Sequence, residues 1–372
     1  MIRKVLKYPF IIIMSIMIVV VFIMYLFMPV NDFSGMENRY LAKRPKVTLQ
    51  ALKDGSYMSG FESYTEDQMP FRDVLIRLKA ISEKTLLKNE NNGIVEGKDG
   101  FLFQKLLKEE LILRNEASIC KFAEDSDRTI NVCIVPNSYE IYGELTPVGF
   151  PSIEEKSYID RLYDKLSRLD NQNTIMLYDS LIKHKDEYIY YRTDHHWTTL
   201  GAYYGYSEIC RQLDKEPVEL NELPDMKEAG GFYGTYYSKY KGVMIEPDTI
   251  QYYDIPVAEY VLDGRQHDTL YDEAKLDTYD KYAMFLYGNE GLGKIESANN
   301  ESGDTLVIFK DSYSNCMIPF LTYNYSTIVI VDLRYYNESV SNLLKEYNDA
   351  DILLMYNFMH YNEDNHFYRI VS

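Results

Sequence analysis

The sequence predicts an α/β fold: a three-layer α/β/α domain on a mostly parallel sheet, preceded by one N-terminal transmembrane helix and a helical connector. Three observations predict it. Between residues 129 and 356, β-branched apolar runs alternate with amphipathic stretches, and unbroken apolar strands with helices between them belong to parallel sheets covered on both faces. Residues 31–95 carry helical periodicity, and the first thirty hold a long uncharged run.

That run, Phe10 to Met28, contains no charged residue. At 1.5 Å per residue it reaches about 28 Å, close to the roughly 30 Å hydrocarbon core of a bilayer. Arg3, Lys4 and Lys7 precede it, and Asp32 and Glu37 come before any base on the far side. The excess of positive charge places the N-terminus in the cytoplasm and the rest of the chain outside the plasma membrane. A cleaved leader would have a shorter apolar region followed by small residues, whereas Phe27-Met28-Pro29-Val30 follows here. Residues 1–30 therefore read as a single-pass anchor whose contact with the lipid bilayer is residues 10–28.

The connector, 31–95, contains Phe71 to Lys88, apolar at helical spacing with Pro70 near its start. From 96 onward the main domain begins. Gly93 to Phe103 alternates around Gly97 and Asp99-Gly100, a hairpin signal. Leu106–Glu124 reads as helix, Thr129–Val135 as strand, Tyr158–Leu169 as helix, Thr174–Tyr178 as strand and Leu200–Leu213 as helix. A Tyr-rich stretch from about 218 to 300 is too long for a bare loop; small strands of its own or a substrate-facing insertion would account for it. Strands follow at Thr305–Phe309, Thr327–Val331 and Asp351–Tyr356, with helices at Tyr313–Tyr323 and Val340–Glu346 between them.

Composition narrows the function. With 39 basic against 57 acidic residues, net −18, the surface repels phosphate backbones and excludes nucleic acid as a partner. Tyrosine is abundant, 36 against 16 Phe and one Trp. Its flat ring with a hydroxyl suits wet, sugar-rich surfaces as well as interfaces, and composition does not choose between them. Cys120, Cys133, Cys210 and Cys316 form no CxxC pair, so neither a zinc knuckle nor a thioredoxin motif is present. Cys133, in an apolar run, reads as a buried thiol; one or two disulfides stay open in an oxidising compartment.

Two clusters carry chemistry. Arg192-Thr193-Asp194-His195-His196-Trp197-Thr198 holds two of six histidines and the only tryptophan. In an extended segment Asp194 and His196 share a side, and a carboxylate behind an imidazole fixes its tautomer and steadies the imidazolium. A helix cap and a metal site using both histidines stand as alternatives. The second cluster, Lys310-Asp311-Ser312-Tyr313-Ser314-Asn315, follows a strand and precedes a helix. Ser312 there would stand at the C-terminal edge of a parallel sheet, where α/β sites form. The helix start would offer N–H groups to a developing oxyanion, although Asp and Ser are also ordinary N-caps. Gly288 to Lys294 mimics a phosphate-binding loop, but Ile295 stands where Ser or Thr is needed. His360 and His366 read as solvated.

Asp194-His195-His196-Trp197 resembles the motif for which the DHHW family is named. The chain is also similar to alginate O-acetyltransferase-type, circularly permuted SGNH hydrolase-like proteins, through Glu37-Asn38-Arg39, Asp67 to Arg72, Gly97 to Phe103 and Asp311 to Asn315. The resemblance implies an SGNH-like fold and a triad in which Asp194 orients, His196 is general base and Ser312 is nucleophile. Weaker oxyanion or substrate candidates are Asn289, Asn137, His195 and Trp197; no metal site is expected. One departure is His195, where the alginate enzymes carry Thr. The implied activity is O-acetyl transfer to a cell-surface or secreted polysaccharide, with no bound cofactor and with the acyl donor supplied by a membrane-bound O-acyltransferase. The same triad would serve a carbohydrate O-acetyl esterase. A non-catalytic binding or scaffold protein of an envelope-polymer assembly is the reading from another class.

Overall fold

The computed structural model describes residues 9–35, 37, 39–170 and 172–371, without the side chain of Leu26. Arg3, Lys4, Lys7 and Asn38 lie outside the described residues. The chain divides into two compact units, one of residues up to Asn89 with Lys241–Met244, the other of Glu90–Tyr240 with the residues from Ile245 onward.

The first unit is helical. Pro9–Phe27 forms a helix with large apolar side chains exposed along it, Phe10, Ile13, Ile16, Ile18 and Phe22 among them. Among the described residues, however, no helix is long and apolar enough to cross a membrane. The expected transmembrane span is therefore not supported among the described residues. Ser56–Asp67 and Arg72–Thr85 are the main connector helices. Gly55 separates the first from a short helix, Leu49–Lys53, at φ 80°, a conformation that favours glycine. Two of the segments behind the family resemblance meet in this unit. Arg39 donates to both oxygens of Asp67, at 2.9 and 2.5 Å, and Glu37 pairs with Arg72 and Lys241.

The second unit is built on one eight-stranded sheet. Its strands in chain order are β1 (Ile130–Val135), β2 (Gln172–Ile175), β3 (Val257–Leu262), β4 (Arg265–His267), β5 (Leu292–Ser297), β6 (Thr305–Lys310), β7 (Thr327–Val331) and β8 (Asp351–Asn357). Their spatial order is β4-β3-β5-β7-β6-β8-β1-β2. From β7 to β2 every pairing is parallel; β5, β3 and β4 add an antiparallel edge. The five-strand parallel part is the alternation read from the sequence. The antiparallel edge was not read, because VAEYVL and LGKIES mix apolar with charged residues, as half-exposed strands do. The 218–300 stretch therefore supplies three strands to the central sheet, besides a separate pair, Met226–Phe232 with Asp248–Tyr253.

All of β1 and nearly all of β6, β7 and β8 are buried, which requires cover on both faces. Helices Ile112–Glu124, Glu155–Leu166 and Phe358–Glu363 pack as one group; Tyr178–Lys183, Thr199–Gln212 and Ile318–Leu321 form another. Ile112–Glu124 shows the cause: Ile112, Asn115, Glu116, Ile119, Phe122 and Ala123, at helical spacing, are its buried stripe. The single helix expected over Tyr313–Tyr323 is instead a 3₁₀ turn, Ser312–Cys316, then Ile318–Leu321. Pro319 explains the second start, since proline has no N–H to give and fits a first helical turn. All four cysteines are free thiols. Burial raises the Cys133 thiol above its ordinary value.

Candidate active site

The site is assembled from two loops. The first is the bend between Tyr190 and Trp197, closed by an antiparallel bridge between those residues and by bonds from Tyr191 N–H to His196 O and from Thr198 N–H to Ile189 O. Asp194 Oδ1 accepts the His196 backbone N–H at 3.0 Å, an Asx-type closure that tightens the bend. Asp194 and His196 thus share a side through a turn, not the extended segment the sequence suggested. The helix that follows is capped from within the same cluster, by Thr198, whose Oγ1 accepts from Gly201 N–H, which leaves Asp194 to His196. The second loop leaves the C-terminal end of β6, where Asp311 caps the 3₁₀ turn by accepting from Tyr313 N–H at 2.9 Å. That cap holds Ser312 at the sheet edge.

The loops meet at one contact. His196 Nε2 lies 2.8 Å from Ser312 Oγ, and His196 Nδ1 lies 2.5 Å from Asp194 Oδ1. All three residues are buried, Ser312 at 7% exposure. Asp194 Oδ2 accepts twice more, from the Thr235 N–H and hydroxyl, both at 2.7 Å. Burial opposes ionisation of Asp194, but the two imidazoles outweigh it and hold the carboxyl well below its ordinary range. Burial, helped by His195 and opposed by Asp194, lowers His196 to about 4, so the ring is neutral near pH 7. A neutral ring with Nδ1–H on Asp194 leaves Nε2 free to accept from the Ser312 hydroxyl.

The other candidates fall in different places. His195 belongs to the cluster: its ring lies 3.7 Å from that of His196, and Nδ1 is 2.5 Å from Thr235 Oγ1. Trp197 does not face a substrate. It is fully buried and donates its indole N–H to Tyr313 O at 2.8 Å, tying the two loops together. Asn137, after β1, is 3% exposed and held by Glu155 through its own backbone N–H and its amide NH₂. Burial pushes Glu155 up to about 8. Asn289 Oδ1 accepts from Lys310 Nζ at 3.0 Å and Asn315 Nδ2 at 3.3 Å. With the oxygen committed to two donors, the half-buried amide's NH₂ is directed elsewhere. The Ser312 N–H donates to no backbone oxygen among the described residues. His360 is not simply solvated: Nδ1 lies 3.0 Å from Asp311 Oδ2 and Nε2 is 3.2 Å from Arg334.

Asp194, His195 and His196 bring three ligand-type atoms within 4.8 Å of one another. Their lone pairs and protons face each other and Thr235 rather than a common centre, so the geometry is that of a hydrogen-bonded relay.

Several contributors were invisible in the sequence. Thr235 stands 41 residues from Asp194. Gly234 lies against it so closely that a Cβ there would come 2.2 Å from Asp194 Cβ. Asp248 accepts from Thr193 N–H and hydroxyl, at 2.8 and 2.6 Å, and steadies the bend from outside. Tyr282 covers the His196 ring. All four come from the 218–300 stretch, where no local pattern points toward the bend.

A carboxylate, an imidazole and a hydroxyl thus stand in hydrogen-bonded series at the C-terminal edge of a parallel sheet, where α/β sites form. The chain belongs to the DHHW family, whose model, described as "DHHW protein", matches residues 101–331. Among solved structures it is similar to a DHHW family protein from Eubacterium siraeum, with 26% identity and TM-score 0.64 over 76% of this chain and 97% of that one. Bacillus cereus PatB1, solved with a sulfonyl adduct, matches at 16% identity and TM-score 0.59, covering 75% of this chain and 98% of that one. The O-acetyltransferase domain of Pseudomonas putida AlgJ is more distant, at 14% identity and TM-score 0.44, covering 73% and 93%. The fold is α/β with a mostly parallel central sheet, and the likeness to the first two structures is one of fold. No curated protein matches the chain.

Proposed function

We propose that this protein transfers an acyl group, acetyl in the first instance, to a hydroxyl of a cell-surface or secreted polysaccharide through Ser312. The observation that carries this reading is the 2.8 Å approach of His196 Nε2 to Ser312 Oγ with Asp194 behind the ring. His196 takes the Ser312 proton as Oγ attacks the acyl carbon, and returns it to the departing group, leaving an ester on Ser312. A sugar hydroxyl then gives its proton to His196 and attacks that ester; the bond to Ser312 Oγ breaks, Oγ takes the proton back from His196, and the acetylated sugar is released. The Ser312 N–H is the donor for the oxyanion. Asp194 acts by orienting His196 and stabilising its cation.

The acyl donor comes in this reading from a membrane-bound O-acyltransferase, and the chain is anchored at the plasma membrane through residues 10–28 with its larger unit outside. The uncharged run from Phe10 to Met28, with Arg3, Lys4 and Lys7 before it, supports the anchor. Membrane fractions stripped with alkaline carbonate should retain the full chain and lose one lacking residues 1–30.

Activity is tested with p-nitrophenyl acetate and an oligosaccharide acceptor. Acetylated oligosaccharide, dependent on Ser312, is the expected product. Acetate released with no acetylated sugar would replace transfer by ester hydrolysis. Surface acetylation that survives Ser312→Ala but not loss of the whole protein would leave a scaffold.

A further inference from the structure

The Tyr-rich stretch supplies more than sheet edge. Tyr282, in the 3₁₀ turn Lys281–Met284, lies flat on His196 with ring centroids 3.7 Å apart and planes 9° from parallel. Its hydroxyl donates to the Ser312 backbone carbonyl at 3.0 Å and lies 3.3 Å from Cys316 Sγ. One side chain therefore touches both members of the contact on which the proposed chemistry depends. It is 4% exposed and edged by Phe285 and Tyr191, so its own position is fixed by packing.

From this geometry we infer that Tyr282 is a positioning residue: its ring face holds the His196 imidazole in plane, and its hydroxyl ties that ring to the loop carrying Ser312. The inference rests on the acyl-transfer reading for its kinetic consequence, not for its geometric one. Two physical effects follow. A flat neighbour removes the ring's freedom to tilt, keeping Nε2 on the Ser312 Oγ. An aromatic face also stabilises the imidazolium that forms as Ser312 loses its proton. Small losses of alignment are expensive at such a contact, where a displacement of about 1 Å can lower a rate about 10²-fold. On the other ring face lies His195, so His196 is held between two rings.

The test compares Tyr282→Phe, which keeps the face and removes the hydroxyl, with Tyr282→Met, which removes both at similar volume. The expected order is wild type, then Phe about 3- to 10-fold lower, then Met at least about 30-fold lower in the rate of Ser312 acetylation, with KM changed less than about 2-fold. In parallel, the low-field proton resonance of His196 Nδ1–H should persist in Tyr282→Phe and broaden or vanish in Tyr282→Met. Met acetylating within about 3-fold of wild type with the resonance intact would overturn the inference. Should Tyr282→Met fail to fold, as judged by circular dichroism, Tyr282→Phe decides: a fall of about 3-fold or more at unchanged KM supports the role, and a smaller one removes it. A wild-type protein that forms no acetyl-Ser312 would sink the function while the resonance comparison still judged Tyr282.

Discussion

Two carboxylate–imidazole pairs adjoin the Ser312 turn, one buried and one with a half-buried imidazole, and only the first is placed for chemistry. Asp194 and His196 meet at 2.5 Å, and the far ring nitrogen faces a serine hydroxyl. Asp311 and His360 approach to 3.0 Å, but the far nitrogen faces the Arg334 guanidinium, which is itself paired with Asp332 through two contacts. Asp311 also accepts N–H groups from Tyr313 and Asn357, and burial is outweighed by His360 to hold it at about 2. The Asp311 pair is a brace that shapes the Ser312 turn. The lesson is that an Asp-His pair acquires a role from what the second nitrogen meets: a hydroxyl can give up a proton to it, whereas a guanidinium has nothing to accept and nothing acidic to give.

The sharpest way to break this comparison is at the orienting carboxylate. Asp194→Asn keeps the shape but presents an N–H where His196 needs an acceptor, and should lower Ser312 acetylation about 10³–10⁴-fold. A residual rate near wild type would put Asp194 on a par with Asp311. Gly234→Ala attacks the same group sterically, since the new Cβ would overlap Asp194. We expect at least about a 10²-fold loss with a stability cost of about 1–3 kcal/mol, read from the rate and from urea unfolding.

The pH dependence sharpens the contrast further. His196 acts as a base only when neutral, and its value of about 4 sits below the ordinary 6.5 for histidine. The acylation rate should therefore hold steady as pH falls through 6.5 and drop only as it approaches 4; an acid limb centred at 6.5 or above would contradict the burial argument. The smallest effect is expected at the brace. His360→Gln should change the rate less than about 3-fold and stability by about 1 kcal/mol, the scale of one polar contact. A larger kinetic loss there would mean that the Asp311 pair takes part in the reaction.

How much of this was legible in the sequence follows from where each signal lies. Asp194 and His196 are two residues apart, and Ser312 closely follows an unmistakable apolar strand, so their chemistry and address could be read locally. Four of the parallel strands announced themselves because burial on both faces leaves them mostly apolar. Trp197 stands among the weaker oxyanion or substrate candidates in the sequence; its burial and its bond to the Tyr313 carbonyl make it a rivet between the two loops. Thr235, Gly234 and Tyr282 act through approaches between segments tens of residues apart, and no spacing rule encodes such contacts. The antiparallel edge was hidden for a related reason, because half-exposed strands carry charges that blur their pattern.

The most direct measurement is peptide mass spectrometry after exposure of the intact protein to p-nitrophenyl acetate. We expect a single acetyl group on Ser312 in the wild-type chain, and none on any residue of the 310–316 turn in His196→Ala. Acetylation elsewhere, or at Ser312 with undiminished rate when His196 is gone, would contradict the claim that this imidazole activates this hydroxyl.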